Sequence, residues 1–277
     1  MRPRTARPPE RAEGKDAQET ESFAGDPDFM ASLARGLSVI RAFAAPPHGG
    51  GTIAELSLRT GIPRSAVRRC LLTLARLGYV AAEGRRWSLR PKVLSLGAAY
   101  ASSATLTTAA QRYLDQVSAM VRESCSLSVL DEGEILYLLR SATAARIMSV
   151  DLRPGSRLPA YCTSMGRVLL AHLPAAELRA YLQRTRLVAY TERTITNRER
   201  LSQALEAVRR SGFALVDQEL ELGLRSIAVP VHDAGGRVVA AMNVGTQAAR
   251  VPLREMEKRF LSPLKAASAE LGLLLHG

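Results

Sequence analysis

Residues 52–89 read TIAELSLRTGIPRSAVRRCLLTLARLGYVAAEGRRWSL, and this stretch decides the amino-terminal fold. Thr52 and Glu55 make a capping box: the Thr52 hydroxyl accepts from the Glu55 amide, and the Glu55 carboxylate reaches back. The short helix that follows stops at Gly61, a residue that takes a left-handed turn without a Cβ penalty. Pro63 supplies the fixed φ that suits a first helical position. A second helix then buries Val67, Leu71, Leu74 and Leu77 on one stripe and closes at Gly78. Arg64, Ser65, Arg68, Arg69 and Thr73 fall on the opposite stripe. Two short helices joined by a tight glycine turn, the second opening with basic and hydroxyl residues, form a helix-turn-helix whose second helix fits a major groove.

Tyr79 to Leu89 reads as a small hairpin turning at Glu83-Gly84, a wing that lays Arg85 and Arg86 along a phosphate backbone with Trp87 packed beneath. Charge agrees with this. The 277 residues carry a formal charge of +12, and the window from Arg59 to Lys92 holds eight arginines and one lysine against a single acid, Glu83. Such a surface fits a polyanion, here double-stranded DNA; the alternative for a charge run is a solvated face with no partner. Which of Arg68 and Arg69 reads a base edge and which grips phosphate stays open. Upstream, Leu33, Leu37, Ile40 and Ala44 recur at helical spacing beside Phe43. Pro46, Pro47 and Gly49 to Gly51 then stop that helix in a flexible turn.

With 47% hydrophobic residues, the chain can bury one ordinary core and a smaller one, so two domains are expected. No apolar run approaches the roughly 20 residues that span a bilayer, and no signal peptide opens the sequence. A cytoplasmic protein without a membrane partner is expected. Cys70, Cys125 and Cys162 lie far apart without metal-ligand spacing and read as free thiols. No metal, cofactor or catalytic residue is expected: His48, His172, His232 and His276 stand in no HExxH or triad-like context, and Gly49-Gly50-Gly51 lacks the lysine of a P-loop. An enzyme carrying a DNA-binding head, and a DNA-binding scaffold without a ligand, are the competing readings. Residues 1–28 interleave acids, bases and prolines and read as a disordered tail.

After Pro91 the texture changes. Val93, Leu94, Leu96, Tyr100 and Leu106, then Leu114, Val117, Met120 and Val121, mark linker helices over 91–124 that either offer a dimer surface or pack on the chain's own domain. From Ser126 the period becomes that of strands, with hairpin turns at Asp131–Glu134 and Asp233–Gly236 and a strand over 147–152. Helices are expected over 165–172, over 201–211 (with Thr196 and Glu199 as a second capping box), and from about Leu253, interrupted at Pro263. The result is an α+β domain on an antiparallel sheet over 125–277. Thr163 or Ser164 caps the helix that Ala160–Arg167 enters; its free amides and dipole suit a carboxylate. Gly166 lets the backbone approach a ligand, and Arg167 or Arg225 either clamps it or faces solvent. Asp217 and Glu219 alternate on a strand and so share a face, as a binding feature or as exposed surface.

The chain resembles IclR-type transcriptional regulators from about Phe29 to its carboxyl end. The resemblance is carried by the winged helix-turn-helix, by Thr163-Ser164-Met165-Gly166-Arg167-Val168-Leu169-Leu170-Ala171, and by Gly212 to Glu219 running on to Gly223-Leu224-Arg225-Ser226-Ile227-Ala228-Val229-Pro230. Met148–Asp151 with Gly155–Arg167 looks like the branch of PcaR, PcaU and PobR, which controls catabolism of protocatechuate, 4-hydroxybenzoate or β-ketoadipate. The resemblance implies a winged helix-turn-helix over 29–90 and a GAF-like α/β effector domain. It also implies a homodimer or tetramer whose operator binding or activation is controlled by a small aromatic or dicarboxylic acid. Effector contacts are implied at Ser164, Met165, Gly166, Asp217, Ser226 and Asn243. Asp217 would have to hydrogen-bond a ligand hydroxyl, since an ionised acid beside an anion is unfavourable.

Overall fold

The computed structural model describes Phe23 and residues 25–44, 50–97, 105–141 and 152–275. The tail up to residue 22, His48, Gly49, Tyr100 and His276 lie outside the described residues. The chain divides into two compact units, one ending at Ala101 and one starting at Ser102.

The first unit runs α1 (Ala31–Ala42), α2 (Ile53–Thr60), α3 (Arg64–Arg76) and the hairpin β1 (Val80–Glu83) and β2 (Arg86–Leu89). Both bonds of the capping box are present: Glu55 N–H donates to Thr52 Oγ1 at 3.2 Å and Thr52 N–H to Glu55 Oε2 at 2.8 Å. Gly61 ends α2 at φ +71°. Val39, Phe43, Leu56, Ile62, Val67, Leu71, Leu74 and Val80 form the core, each worth roughly 1.5–3 kcal/mol of burial for a full aliphatic or aromatic side chain.

Details depart from the sequence reading. α1 packs through Val39, Ala42 and Phe43, three and four residues apart, which leaves Leu33 and Leu37 59% and 47% exposed on its far side. Leu77 falls just past the end of α3 and leaves the buried stripe. Pro63 is the N-cap, one residue ahead of the first helical position. The wing turns at Gly84-Arg85, because Glu83 pairs with Arg86. Gly50 and Gly51 are not a loose turn. Gly51 and Trp87 exchange both main-chain hydrogen bonds at 2.9 Å, and a Cβ on Gly50 would meet the Trp87 carbonyl oxygen at 2.4 Å.

The second unit is built on one antiparallel sheet of six strands: β3 (Ser124–Asp131), β4 (Glu134–Ser141), β5 (Arg157–Pro159), β6 (Ala214–Asp217), β7 (Leu224–His232) and β8 (Val238–Gln247). Their order across the sheet is β5-β4-β3-β8-β7-β6. Alternation sends Leu127, Ile227, Val229, Met242 and Val244 to one face, under α4 (Thr105–Val121) and α8 (Leu253–Gly272). Ala228 and Ala241 point to the other face, under α5 (Ser164–Ala171), α6 (Ala175–Arg184) and α7 (Arg198–Ser211). Two helical layers on an antiparallel sheet give the α+β class.

α4 is therefore part of this unit's core. Leu114, Val117 and Val121 are buried on the sheet while Met120 stands exposed. α8 runs through Pro263 without a break: the missing N–H costs about 3 kcal/mol, and the fully buried Phe260 and Leu264 on either side hold the helix in place. α6 was not read from the sequence, although Pro174 and Glu177 mark its start; the edge strand β5 was missed as well. α7 begins one residue later than a Thr196–Glu199 box requires, so Asn197 caps it, accepting from Arg200 N–H at 2.8 Å. Of the strand expected over 147–152, only Leu152 is described, and it is in no strand.

Candidate functional site

On the first unit, α3 exposes Arg64, Ser65, Arg68, Arg69 and Thr73, the stripe opposite Val67, Leu71 and Leu74. Among the described residues no hydrogen bond or ion pair engages the guanidinium groups of Arg64, Arg68, Arg69 or Arg85. The Thr73 hydroxyl donates back to the Arg69 carbonyl at 3.0 Å. Arg86 differs from its neighbour: it donates to the Gly50 carbonyl at 3.1 Å and stands 3.7 Å from the Glu55 carboxylate. It ties the wing to the start of α2. The Thr52 amide, and more weakly Arg86, hold the Glu55 carboxyl below its ordinary range. Lys92 caps the carboxyl end of α3, donating to the Leu77 carbonyl at 2.8 Å.

On the second unit a cleft opens between the sheet and the start of α5, with about 520 Å3 of empty space, part of it open to solvent. Its floor comes from neighbouring strands: Ser126 on β3 pairs with Asn243 on β8, and Ser226 on β7 with Gly245 on β8. Thr163, Ser164 and Met165 form one wall, Glu219, Leu220 and Leu224 another, and Tyr137 and Arg140 enter from β4. Thr163 is the cap of α5, accepting from Gly166 N–H at 3.3 Å, so Ser164 is left over. Ser164 Oγ and Asn243 Oδ1 are buried without a hydrogen-bond partner among the described residues. Each such orphan costs roughly 1–3 kcal/mol, and both line the same cleft. Burial pushes the Tyr137 phenol up to about 12, which keeps it neutral. Burial likewise pushes the Cys162 thiol up to about 12.

Not every residue implied for this site reaches it. Met165, Ser164, Ser226 and Asn243 line the cleft; Gly166 and Asp217 do not. Gly166 brings the backbone against Ala160 rather than against a ligand. Asp217, neighbour of the cleft-lining Val216, is gripped by Arg225 and Arg193. It does not share a face with Glu219, because β6 ends at Asp217 and Gln218 turns the chain at φ +61°. Arg167 and Arg225 neither clamp the cleft nor face solvent. Arg167 pairs with Glu219 at 2.6 Å, while Arg225 holds Asp217 and the carbonyls of Ala248 and Val251. Tyr161 spends its hydroxyl on both main-chain groups of Val188. Glu219, read with Asp217 as a binding feature or as exposed surface, does line the cleft, whereas Ser126, Tyr137 and Arg140 were missed. Register was the missing signal for Ser126 and Arg140, which face each other across β3 and β4. Among the described residues there is no metal-ligating cluster, and no helix is long and apolar enough to cross a membrane.

A basic recognition helix on one unit and a cleft of convergent polar groups on the other define a ligand-controlled DNA-binding regulator. Residues 98–272 match the family model described as bacterial transcriptional regulator IclR C-terminal, and residues 32–84 that of the IclR helix-turn-helix domain. The chain belongs to the IclR family of bacterial transcriptional regulators. It is 54% identical to the Pca regulon regulatory protein of Pseudomonas putida, over 94% of this chain and 89% of that one. The p-hydroxybenzoate hydroxylase transcriptional activator of Acinetobacter baylyi is 36% identical over 88% and 91% of the two chains. Among solved structures, a double mutant of the Acinetobacter PobR inducer-binding domain, in complex with 3-hydroxybenzoic acid, is 34% identical. It covers 62% of this chain and 100% of that one at a TM-score of 0.58.

Proposed function

We propose that this chain regulates transcription of genes for aromatic-acid catabolism on the β-ketoadipate route. A small aromatic or dicarboxylic acid in the cleft sets its operator binding or its power to activate. The observation that carries this reading is the pair of orphaned, buried polar atoms, Ser164 Oγ and Asn243 Oδ1, on residues that line one cleft together with Arg140. The relatives supply the chemical class: one is named for the Pca regulon, one for p-hydroxybenzoate hydroxylase, and one holds a hydroxybenzoic acid.

In this reading Arg64, Ser65, Arg68, Arg69 and Thr73 enter the major groove, and Arg85 at the wing tip touches phosphate while Arg86 holds the wing in place. Ser164, Met165, Ser226 and Asn243 contact the effector, with Arg140 as the counter-charge to its carboxylate. The protein acts in the cytoplasm as a homodimer or tetramer on a palindromic operator, without catalysing a reaction. The effector regulates by favouring one arrangement of the heads over another, since equal affinity for both shifts nothing.

The test is a calorimetric titration of the full chain with 4-hydroxybenzoate, protocatechuate and β-ketoadipate, beside gel retardation of its upstream DNA. One acid should bind, without turnover, and change retardation. Binding by none of them, or retardation that ignores the bound acid, overturns the proposal.

A further inference from the structure

The cleft has a carboxylate in its own wall. The Glu219 side chain is only 9% exposed, yet it lines the cleft with Ser126, Ser164 and Asn243. Its placement is enforced from several sides. Arg167 Nη2 donates to Oε2 at 2.6 Å, Ile195 N–H donates to the same oxygen at 3.1 Å, and the Thr194 hydroxyl donates to the Glu219 carbonyl at 2.6 Å. Arg167 is itself fixed, its Nε donating to the Tyr161 carbonyl at 3.0 Å. Among the described residues, both hydrogen bonds to the carboxylate fall on Oε2, and Oε1 accepts none. A carboxylate beside a site for an acid repels the ligand unless a donor stands between them. An ionised acceptor held rigidly is also a strong recogniser of a hydroxyl.

We propose that Glu219 is a specificity-determining residue of the effector cleft: Oε1 accepts a hydrogen bond from a hydroxyl on the bound acid, so the cleft selects hydroxy acids over their deoxy counterparts. Arg167 is the positioning residue. It neutralises the carboxylate and pins Oε2, which leaves Oε1 as the oxygen available to the ligand. The inference rests on the reading of this cleft as the effector site.

The test is calorimetry of the full chain with 4-hydroxybenzoate, benzoate and 4-methoxybenzoate. The wild type should bind the hydroxy acid about ten- to hundredfold more tightly than the other two, the range of a hydrogen bond to a charged group. In Glu219→Gln the amide oxygen stays on Arg167 and Ile195 N–H, so the NH2 group replaces Oε1. Preference for the hydroxyl should vanish or turn towards the methoxy acid, with benzoate affinity within about threefold of wild type. A role confined to holding the walls together would weaken all three acids alike. Should this variant not fold, the double variant Arg167→Met with Glu219→Met removes both charges at similar volume, and the same loss of preference is expected. A wild type without preference, or a variant that keeps it, overturns the inference and leaves the effector site standing. Binding of none of the three acids overturns the inference, and the effector-site reading falls with it only if protocatechuate and β-ketoadipate fail to bind as well.

Discussion

Gly166 and Ala160 pack so closely that a Cβ on Gly166 would stand 2.2 Å from the Ala160 carbonyl oxygen and 2.3 Å from its Cα. Both neighbours are backbone atoms, so no side chain can swing aside. Gly166→Ala should force α5 away from the preceding turn and cost about 1–3 kcal/mol or more, a fall of several degrees in Tm. It should also weaken effector binding, because Ser164 and Met165 move with the helix. A melting curve and a titration check this; an unchanged Tm would refute the close packing.

Ser164→Ala should separate binding from folding. Its hydroxyl is buried and unpartnered, so its removal relieves a penalty rather than breaking a bond. Apo stability should stay the same or rise slightly, while effector affinity falls about fivefold or more, the size of one hydrogen bond. Equal losses in Tm and affinity would assign the hydroxyl to structure.

Arg68→Ala and Gly50→Ala should weaken DNA binding by different routes. Arg68 is exposed and unpaired among the described residues, so its loss should leave Tm unchanged and cost roughly 1–3 kcal/mol if it reads a base. A uniform loss on random DNA would reassign it to phosphate. Gly50→Ala meets the Trp87 carbonyl oxygen at 2.4 Å with φ at +130°, so it should loosen the wing, lower Tm and weaken specific and random DNA alike. Gel retardation over a salt series distinguishes the two.

Asp217 should contribute to acid sensitivity. Partial burial pushes its carboxyl up, but hydrogen bonds from Arg225 and Gln218 and the charges of Arg225 and Arg193 outweigh this and hold it below the ordinary carboxylate range. An unfolded aspartate titrates near 3.9, so the unfolded chain binds the proton first as pH falls. The stabilisation is complete above about pH 5 and drains away through pH 4 and below. Asp217→Asn should be less stable at pH 7 and show a flatter loss between roughly pH 5 and 3 by denaturant titration. Parallel curves for the two proteins would exclude the ion pair as a source.

The sequence by itself determined what local chemistry governs. Thr52, Glu55 and Gly61 fix α2 through bonds within a few residues, the stripe of Val67, Leu71 and Leu74 fixes which face of α3 is basic, and alternating strands fix an antiparallel sheet. The family resemblance, rather than any spacing in the chain, brought Ser164, Met165, Ser226 and Asn243 forward as cleft residues. Tertiary structure decided what depends on partners distant in the chain. Leu33 and Leu37 are as apolar as Val39, and only the docking of α1 shows which of them is buried. Asp217 and Glu219 are two residues apart, yet the turn at Gln218 and the reach of Arg225, Arg193 and Arg167 send one carboxylate out of the cleft and the other into its wall. Arg140 meets Ser126 only through strand register, which no spacing along one strand encodes. The physical reason is common to all of these. A cap or a stripe is satisfied by neighbours in sequence, whereas a buried charge or a cleft wall is defined by whichever groups the fold brings within hydrogen-bond reach.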